Sequence, residues 1–430
     1  AGLSGAAKRS LDVPTWLFLL TGGGVIGASF LLASFVTDRA FIRRVHEWRR
    51  NRTIPFERAL VIGGKTAGVV GVCFVIGIGF FGPREATRNA AVLVVWAGWW
   101  SGYTISTYLI GNAWPVLNPW RSVATVLPSL ERSYPERFGA WPSVAGLLAL
   151  VWLEVVSPVA DQPRFLASVV VGYTAVTLAG AVAFGSETWF STVDPISRVF
   201  RYFGRVAPLY RADGTLGLRL PGSGLDEAKF VTSRAEVGFI VAILWVTTYD
   251  GLVATPLWRR VAVPLVEAGM PAYPLYAAAL IVGYLAFAGL YAVAVRYSKR
   301  HARTYVDADA LAYRFVPPLL AIAAGYHLAH FLGYFVKLLP ALGGALSAPL
   351  SPPDPVAIVL PAWFGGLELA FVILGHLLAI WIAHAAAYDV FPGKLQAIRS
   401  QYSITAVMVV YTMVSLWIVS QPYATPPFVS

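Results

Sequence analysis

The sequence predicts an all-α, polytopic membrane helix bundle, and three observations support this prediction. Apolar residues make up 57% of the 430 residues and charged residues only 13%, which leaves too little polar surface for a soluble protein of this length. The apolar residues are gathered into long runs, and a hydrocarbon core needs roughly 20 helical residues to be crossed. Lys and Arg are concentrated in alternate loops between these runs. We therefore predict about ten transmembrane helices in a single integral membrane domain, residues 1–430.

Ten runs are long and apolar enough to be predicted as transmembrane segments. The predicted segments are residues 14–36, 59–82, 90–111, 142–160, 163–185, 235–256, 271–296, 314–338, 361–386 and 402–420.

The distribution of Lys and Arg predicts the orientation of the segments, because cytoplasmic loops carry an excess of these residues. The loops that follow odd-numbered segments are the basic ones. This makes residues 112–141 and 186–234 the two largest cytoplasmic loops and residues 339–360 the longest outer loop. Both termini are then extracytoplasmic, and we expect the protein in the plasma membrane of a prokaryote.

The net charge of +11 predicts contact with membrane lipids and not with nucleic acid, because the Lys and Arg residues are spread along loops. Arg198, Arg201 and Arg205 alternate with apolar and aromatic residues, a composition typical of a helix at the lipid interface. Cys73 is the single cysteine, so one chain can build neither a disulfide nor a cysteine metal cluster.

Two of the cytoplasmic loops share a short pattern that predicts a turn followed by a short helix. Asn118 precedes Pro119 in the first loop, and Asp194 precedes Pro195 in the second. Each pair follows a Trp and is followed by an Arg. Asn or Asp before Pro favours a turn, and Pro suits the first position of a helix.

Ionisable residues inside the apolar segments are the strongest functional signal. A charge or an imidazole within a membrane helix is costly without a partner, so such residues are functional-site hypotheses. Counted at about 1.5 Å per residue from the cytoplasmic helix ends, His327 lies at roughly 18 Å, His330 at roughly 22 Å and His376 at roughly 15 Å. These depths place the imidazoles in one band. The full set of such residues is Glu154, Asp250, His327, His330, Glu368, His376 and, nearer the cytoplasmic interface, His384.

Imidazoles and carboxylates without a thiolate suit copper, iron or zinc, and a pair of facing imidazoles suits haem b. The leading hypothesis is therefore a membrane subunit that binds a redox metal or haem through His327, His330, His376 and Glu368 and acts in electron transfer. Its partners would be other membrane or extracytoplasmic redox subunits. Gly325 beside the histidines would let a flat macrocycle approach the backbone or, equally, let two helices pack closely.

Three other roles stay open from the sequence. Glu154 and Asp250, as proton-relay or ligand-supporting groups, suit a proton-coupled transporter of metal ions or small solutes, which predicts a water-accessible cavity around Asp250. The second role is that of a scaffold subunit of a larger membrane complex. In that role the histidines only make interhelical hydrogen bonds.

His46 and His301 lie in basic loops and are predicted to be solvated surface residues.

Six short pieces of the sequence carry a family resemblance: Asn118-Pro119-Trp120-Arg121, Thr248-Tyr249-Asp250-Gly251-Leu252, Tyr326-His327-Leu328-Ala329-His330, Gly375-His376, Ala383-His384 and Arg399-Ser400-Gln401-Tyr402. In these pieces the chain resembles a prokaryotic family of multi-pass membrane proteins that are often labelled fenitrothion hydrolase or left uncharacterised. The chain departs from the family after His384, where Ala385-Ala386 replaces an expected Asp-Arg. The resemblance implies a third role, a metal-dependent membrane hydrolase in which a metal-bound hydroxide attacks an organophosphate, so whether the chain is an enzyme stays open.

Overall fold

Helices occupy all ten predicted segments in the structure, a computed structural model that describes residues 15–53, 56–212, 214–227, 230–361 and 363–429. The α-helices are α1 Thr15–Ser34, α2 Arg39–Glu47, α3 Glu57–Phe81, α4 Ala90–Leu93, α5 Thr104–Leu109, α6 Trp114–Leu117, α7 Pro119–Ala124, α8 Trp141–Val156, α9 Pro163–Phe184, α10 Ser186–Thr188, α11 Pro195–Phe203, α12 Arg234–Val253, α13 Pro256–Glu267, α14 Ala272–Ala302, α15 Ala308–Phe315, α16 Leu319–Ser347, α17 Phe364–Val390 and α18 Lys394–Ser420.

Seven helices of the described residues are long and apolar enough to cross a membrane: α3, α9, α12, α14, α15 with α16, α17 and α18. The pair α1 and α2 makes an eighth if it is counted as one span, although it bends by 114°. The multi-pass helical bundle is thus confirmed, but the number of ten spans is not. Helix α8 has only 16 residues, and α4 and α5 are joined by a π-helical section, Val94–Tyr103.

Helix α12 lies at the centre of the bundle and is the most buried of the long helices. Around it pack α8, α14, α16 and α18. Helices α16 and α17 approach backbone to backbone at Gly325 and Gly375, where an added Cβ on Gly325 would lie 2.9 Å from Gly375 Cα. Such close approach needs glycine, because any side chain would separate the helices.

The two ends of the bundle differ in structure. One end carries a three-stranded antiparallel sheet, made of β1 Arg49–Thr53, β2 Leu209–Ala212 and β3 Thr215–Arg219 in the order β1-β3-β2. At the other end residues 421–429 cover the end of α12, and Ala424 N donates to Ala254 O at 2.8 Å. We call these the sheet end and the tail end. The sheet was not predicted, because its strands are short and three of the five residues of β1 are Arg.

Helices α1 and α18 run antiparallel, so that the start of α1 and the end of α18 lie together at the tail end. Gly22 lies against Leu416, and nearer the sheet end Phe30 contacts Tyr402 with ring centroids 6.0 Å apart. This arrangement agrees with two termini on one side of the membrane. Residues 1–14 lie outside the described residues, and which side is the cytoplasm stays a prediction.

The repeated pattern of the two loops forms the predicted turn and helix in both places. The side chain of Asn118 accepts a hydrogen bond from Arg121 N and starts α7, and the side chain of Asp194 accepts one from Ser197 N and starts α11. Pro follows each cap at the first helical position, where its missing N–H costs nothing. The two caps also meet, because Asn118 Nδ2 donates to Ser197 Oγ at 3.0 Å.

The predicted outer loop 339–360 is wrong at its start, because α16 continues through Pro340 to Ser347. A proline inside a helix costs about 3 kcal/mol. Burial offsets this cost: Ala341, Leu342 and Ala345 pack against Ala90 and Leu93 of α4. The irregular part of this connection therefore begins only at Ala348.

Candidate functional site: a polar cavity within the helix bundle

Ionisable residues from four helices line one cavity of about 100 Å³ in the tail-end half of the bundle. By the usual requirement of roughly 10–15 Å³ per water, it has room for several water molecules. We call it the polar cavity. Its polar and aromatic lining consists of Trp96, Trp100, Glu154, Asp250, His330, Phe331, Tyr334, Lys337, Glu368 and Tyr423.

A polar pair in this cavity joins α12 to α16. Asp250 Oδ2 lies 3.1 Å from His330 Nε2, and both side chains are partly exposed to the cavity. The imidazole is held on its other sides by aromatic rings: Tyr326 stacks on it with an interplanar angle of 9°, and Phe331 meets it edge-on. These contacts fix the ring so that Nε2 faces the carboxylate.

Opposite charges also meet between α16 and α17. Lys337 and Glu368 line the same cavity and attract each other electrostatically. Glu368 Oε1 lies beside Gly333, because a Cβ added to this glycine would be 3.1 Å from that oxygen. Glycine at position 333 therefore leaves room for the carboxylate beside α16.

Glu154 of α8 completes the set and lies close enough to Asp250 for the two carboxylates to repel each other. Three carboxylates, Glu154, Asp250 and Glu368, thus face one ammonium group, Lys337. When all are ionised the cavity carries a net negative charge, and such a charge favours the entry of cations over anions.

A second and larger cavity, of about 370 Å³, adjoins the polar one. Its lining is nearly all apolar, and we call it the aromatic cavity for the rings of Trp99, Tyr103, Trp114, Trp120, Tyr173 and Phe200. Trp96, Trp100 and Glu154 line both cavities and form the wall between them.

His327 and His376, predicted as the core of a cofactor site, lie away from the polar cavity in buried positions. His327 Nδ1 lies 3.0 Å from the hydroxyl of Tyr108, and its ring stacks on Phe331. His376 Nδ1 donates to Val372 O at 2.7 Å, and its Nε2 has no hydrogen-bond partner among the described residues.

His384 lies farther along α17, where it is buried and bonded between helices. Its Nε2 donates to Val36 O at 2.9 Å, and its Nδ1 lies 3.3 Å from Gln401 Oε1. These contacts tie α17 to the end of α1 and to α18. They are interhelical contacts of the kind that the sequence left open as the alternative to a ligand role.

The metal or haem site stays a prediction. Within the described ranges, no three or more His, Cys, Asp or Glu side chains are grouped as ligands for a metal ion. Gly325 and Gly375 serve helix packing, because the backbones of α16 and α17 touch there. Copper, iron, zinc and haem b therefore gain no support from the arrangement of these side chains.

The three arginines predicted at the lipid interface lie in different environments. Arg198 is 3% exposed and donates to the hydroxyl of Tyr202 and to Ser191 O, both at 2.8 Å. Its guanidinium therefore bonds within the protein. Arg201 is more exposed, and Arg205 forms an ion pair with Glu227. A contact with head groups stays open for these two.

His46 and His301, both predicted to be solvated, differ in the structure. His301 is exposed. The prediction for His46 is wrong: this residue is 8% exposed and its ring stacks on Trp381. Helix α2 is amphipathic and turns its buried face, including Ile42, toward the bundle. A basic sequence around a histidine does not show which face of a short helix is buried.

The sequence reasoning missed several residues of the polar cavity. Lys337 is a charge within an apolar segment, and the same signal that selected Glu154 and Asp250 could have found it. Trp96, Trp100 and Tyr423 carried no such signal, because tryptophan and tyrosine are common at membrane interfaces. Their place in the site depends on how the helices pack.

Comparison with known proteins gives no relative: no protein-family model, no curated protein and no solved structure matches this chain.

Proposed function

We propose that this chain is a proton-coupled transporter of a small cation, with the polar cavity as its binding site. The observation that carries the proposal is the pairing of Asp250 with His330 in a cavity that also exposes Glu154, Lys337 and Glu368. A cavity around Asp250 is what the transporter hypothesis requires. Ionisable groups from separate helices near the middle of a bundle are typical of transporter sites.

Competition between protons and the cation for the same carboxylates would provide the coupling. A cation that enters the cavity favours the ionised carboxylates, and protonation of these groups weakens its binding. Binding of one and release of the other are then linked, as in any pair of ligands that compete for one state of a protein. The expected overall process is exchange of the cation for protons.

The arrangement of the cavity also suggests the state of the transporter. Under the predicted orientation the tail end is extracytoplasmic, so the polar cavity belongs to the outer half of the membrane. Ion pairs link the elements of the sheet end, such as Arg314 with Asp226 at 3.2 Å and Arg198 with Glu236 at 3.6 Å. The structure would then represent a state that is closed toward the cytoplasm.

The test uses the purified full chain in liposomes that contain a pH-sensitive dye. Mn²⁺, Zn²⁺ or tetramethylammonium is added outside, and exchange raises the internal pH as protons leave. We expect at least one of these cations to produce the change and Asp250→Asn to abolish it. Asp354→Asn is the matched control, because Asp354 is 94% exposed and lies outside the cavity.

No proton movement with any of the three cations, in liposomes shown to contain folded protein, would contradict the proposal. The electron-transfer subunit, the scaffold subunit and the metal-dependent hydrolase remain predictions with other signatures. A Soret band or a bound transition metal in the purified protein would support the redox or hydrolase role instead.

A further inference from the structure

The wall between the two cavities is the starting point. Trp96, Trp100 and Glu154 line the polar cavity on one side and the aromatic cavity on the other. A molecule bound at Glu154 can therefore contact carboxylates and aromatic rings at once. Among the described residues, Glu154 is the one carboxylate that lines both cavities.

The aromatic cavity has the size and lining of a site for an apolar group. Its volume of about 370 Å³ lies in the range of roughly 300–1,000 Å³ that is usual for small-molecule pockets. Nearly all of its lining residues come from α3, α6, α7, α8, α9, α11 and the π-helical section. Among the described residues of its lining, Glu154 is the one charged side chain.

We propose that the transported cation is an amphiphilic ammonium compound, with its charged group at Glu154 and an aromatic body in the aromatic cavity. This inference rests on the proposed function and narrows its substrate class. The ammonium group would be attracted by the carboxylates of Glu154 and Asp250 and by the indole faces of Trp96 and Trp100. The aromatic body would leave water for a lining of aromatic rings.

A lipid chain is the alternative occupant of the aromatic cavity, and its binding would not depend on the charge at Glu154. The binding of a simple metal ion would not depend on the aromatic cavity. An amphiphilic ammonium compound requires both, so the test changes each cavity separately.

The probes are tetramethylammonium and benzyltrimethylammonium, which share a charged group and differ by one aromatic ring. Binding is measured by equilibrium dialysis with the purified full chain. We expect the parent to bind the benzyl compound at least about tenfold more tightly, because one buried ring contributes this much or more. Glu154→Gln should weaken the binding of both probes.

A filling substitution tests the aromatic cavity itself. Gly71 lines this cavity, and an added Cβ there meets no heavy atom within 4 Å, so Gly71→Leu is the substitution chosen to fill the cavity. It should weaken binding of the benzyl compound by about tenfold and leave tetramethylammonium within about twofold. Gly77→Leu is the matched control on α3, because Gly77 also has open space but does not line the cavity.

The outcomes separate this inference from the function on which it rests. Equal affinity for the two probes, or a Gly71→Leu variant that binds the benzyl compound as the parent does, overturns the amphiphilic substrate. Exchange of Mn²⁺ or Zn²⁺ for protons could still occur in that case and would preserve the proposed function. Absence of exchange with every cation overturns both.

Discussion

His330 Nε2 lies 3.1 Å from Asp250 Oδ2, and this pair links α16 to α12 inside the helix bundle. A purely structural contact would not need this position, since both side chains border a cavity that has room for several water molecules and is lined by two further carboxylates. In the proposed mechanism the contact between Asp250 and His330 breaks when a cation or a proton binds to the carboxylate. Its strength therefore influences both the stability of the bundle and the affinity of the site.

A double-mutant cycle of Asp250→Asn and His330→Gln should show that the two residues are coupled. We expect each single change to lower the free energy of unfolding, with a coupling of about 1.5–3 kcal/mol, because a hydrogen bond to a charged group contributes about this much. Thermal unfolding in detergent measures all four proteins, with Asp354→Asn as the control. Strictly additive effects of the two changes would contradict a direct pair.

Most of the charged residues of the polar cavity could be predicted from the sequence, because an ionisable residue in an apolar segment is rarely placed at random. Glu154, Asp250, His330 and Glu368 were selected in this way and share one cavity. The sequence could not separate His330 from His327. Residues three apart on a helix differ by about 60° in direction, and this difference turns His327 toward Tyr108 instead.

Substitution of the glycines between α16 and α17 should destabilise the bundle. An added Cβ on Gly375 would lie 2.6 Å from Ala321 O, and one on Gly325 would lie 2.7 Å from Phe371 O. Gly325→Ala and Gly375→Ala should each lower the free energy of unfolding by about 1–3 kcal/mol through overpacking. Thermal unfolding of the purified variants in detergent measures the effect.

Gly343→Ala on α16 and Gly366→Ala on α17 are the matched controls, because an added Cβ at either position meets no heavy atom within 4 Å. These controls should be neutral or slightly stabilising, since alanine favours a helix over glycine by about 1 kcal/mol. If Gly325→Ala were as well tolerated as Gly343→Ala, the helices would not be in contact there.

The helices themselves followed from hydrophobicity, but three features of the fold did not. The π-helical section Val94–Tyr103 has no sequence signal separate from that of an α-helix. Helix α16 continues past Pro340 because its last turns pack against α4, and this packing is not visible in the local sequence. The sheet depends on pairing between β1 and a hairpin more than 150 residues away in the chain, which local composition does not reveal.

Asp226 at the sheet end should make the stability of the protein depend on pH. Burial raises the pKa of this carboxyl to about 7, although Arg314 favours its ionised form. The charged and titratable groups that face it are Arg314, Asp389 and His46. Because the pKa in the folded state is above that of the unfolded chain, the protonated form is favoured by folding.

The contribution of Asp226 to stability is therefore full below about pH 4 and is lost as the pH rises through about 7. Asp226→Asn keeps a neutral side chain at every pH. The difference in melting temperature between this variant and the parent, measured from pH 4 to pH 8, should grow in favour of the variant as the pH rises. A constant difference over this range would show that the carboxyl titrates as it does in the unfolded chain.

Arg198 and Arg201 should respond differently to the removal of their charge, although they lie three residues apart. Arg198 is buried and bonded to Tyr202, Ser191 and Glu236, whereas Arg201 is 38% exposed and lies 4.0 Å from Glu236. Removal of the Arg198 guanidinium takes one ion-pair partner from Glu236 and removes its buried hydrogen bonds to the hydroxyl of Tyr202 and to the carbonyl groups of Ser191 and Thr192. We expect Arg198→Met to lower the free energy of unfolding by about 2–4 kcal/mol and Arg201→Met by less than about 1 kcal/mol.

Added phosphatidylglycerol distinguishes an internal role from a lipid-interface role for the same arginines. An anionic head group that binds an exposed arginine raises the melting temperature of the protein in detergent, because it binds the folded state. Arg201→Met should reduce this rise, because its guanidinium is accessible, and Arg198→Met should leave it unchanged, because its guanidinium is enclosed by the protein. A loss of the lipid effect in Arg198→Met alone would mean that the sheet end opens in the membrane and exposes the residue that the sequence first placed at the interface.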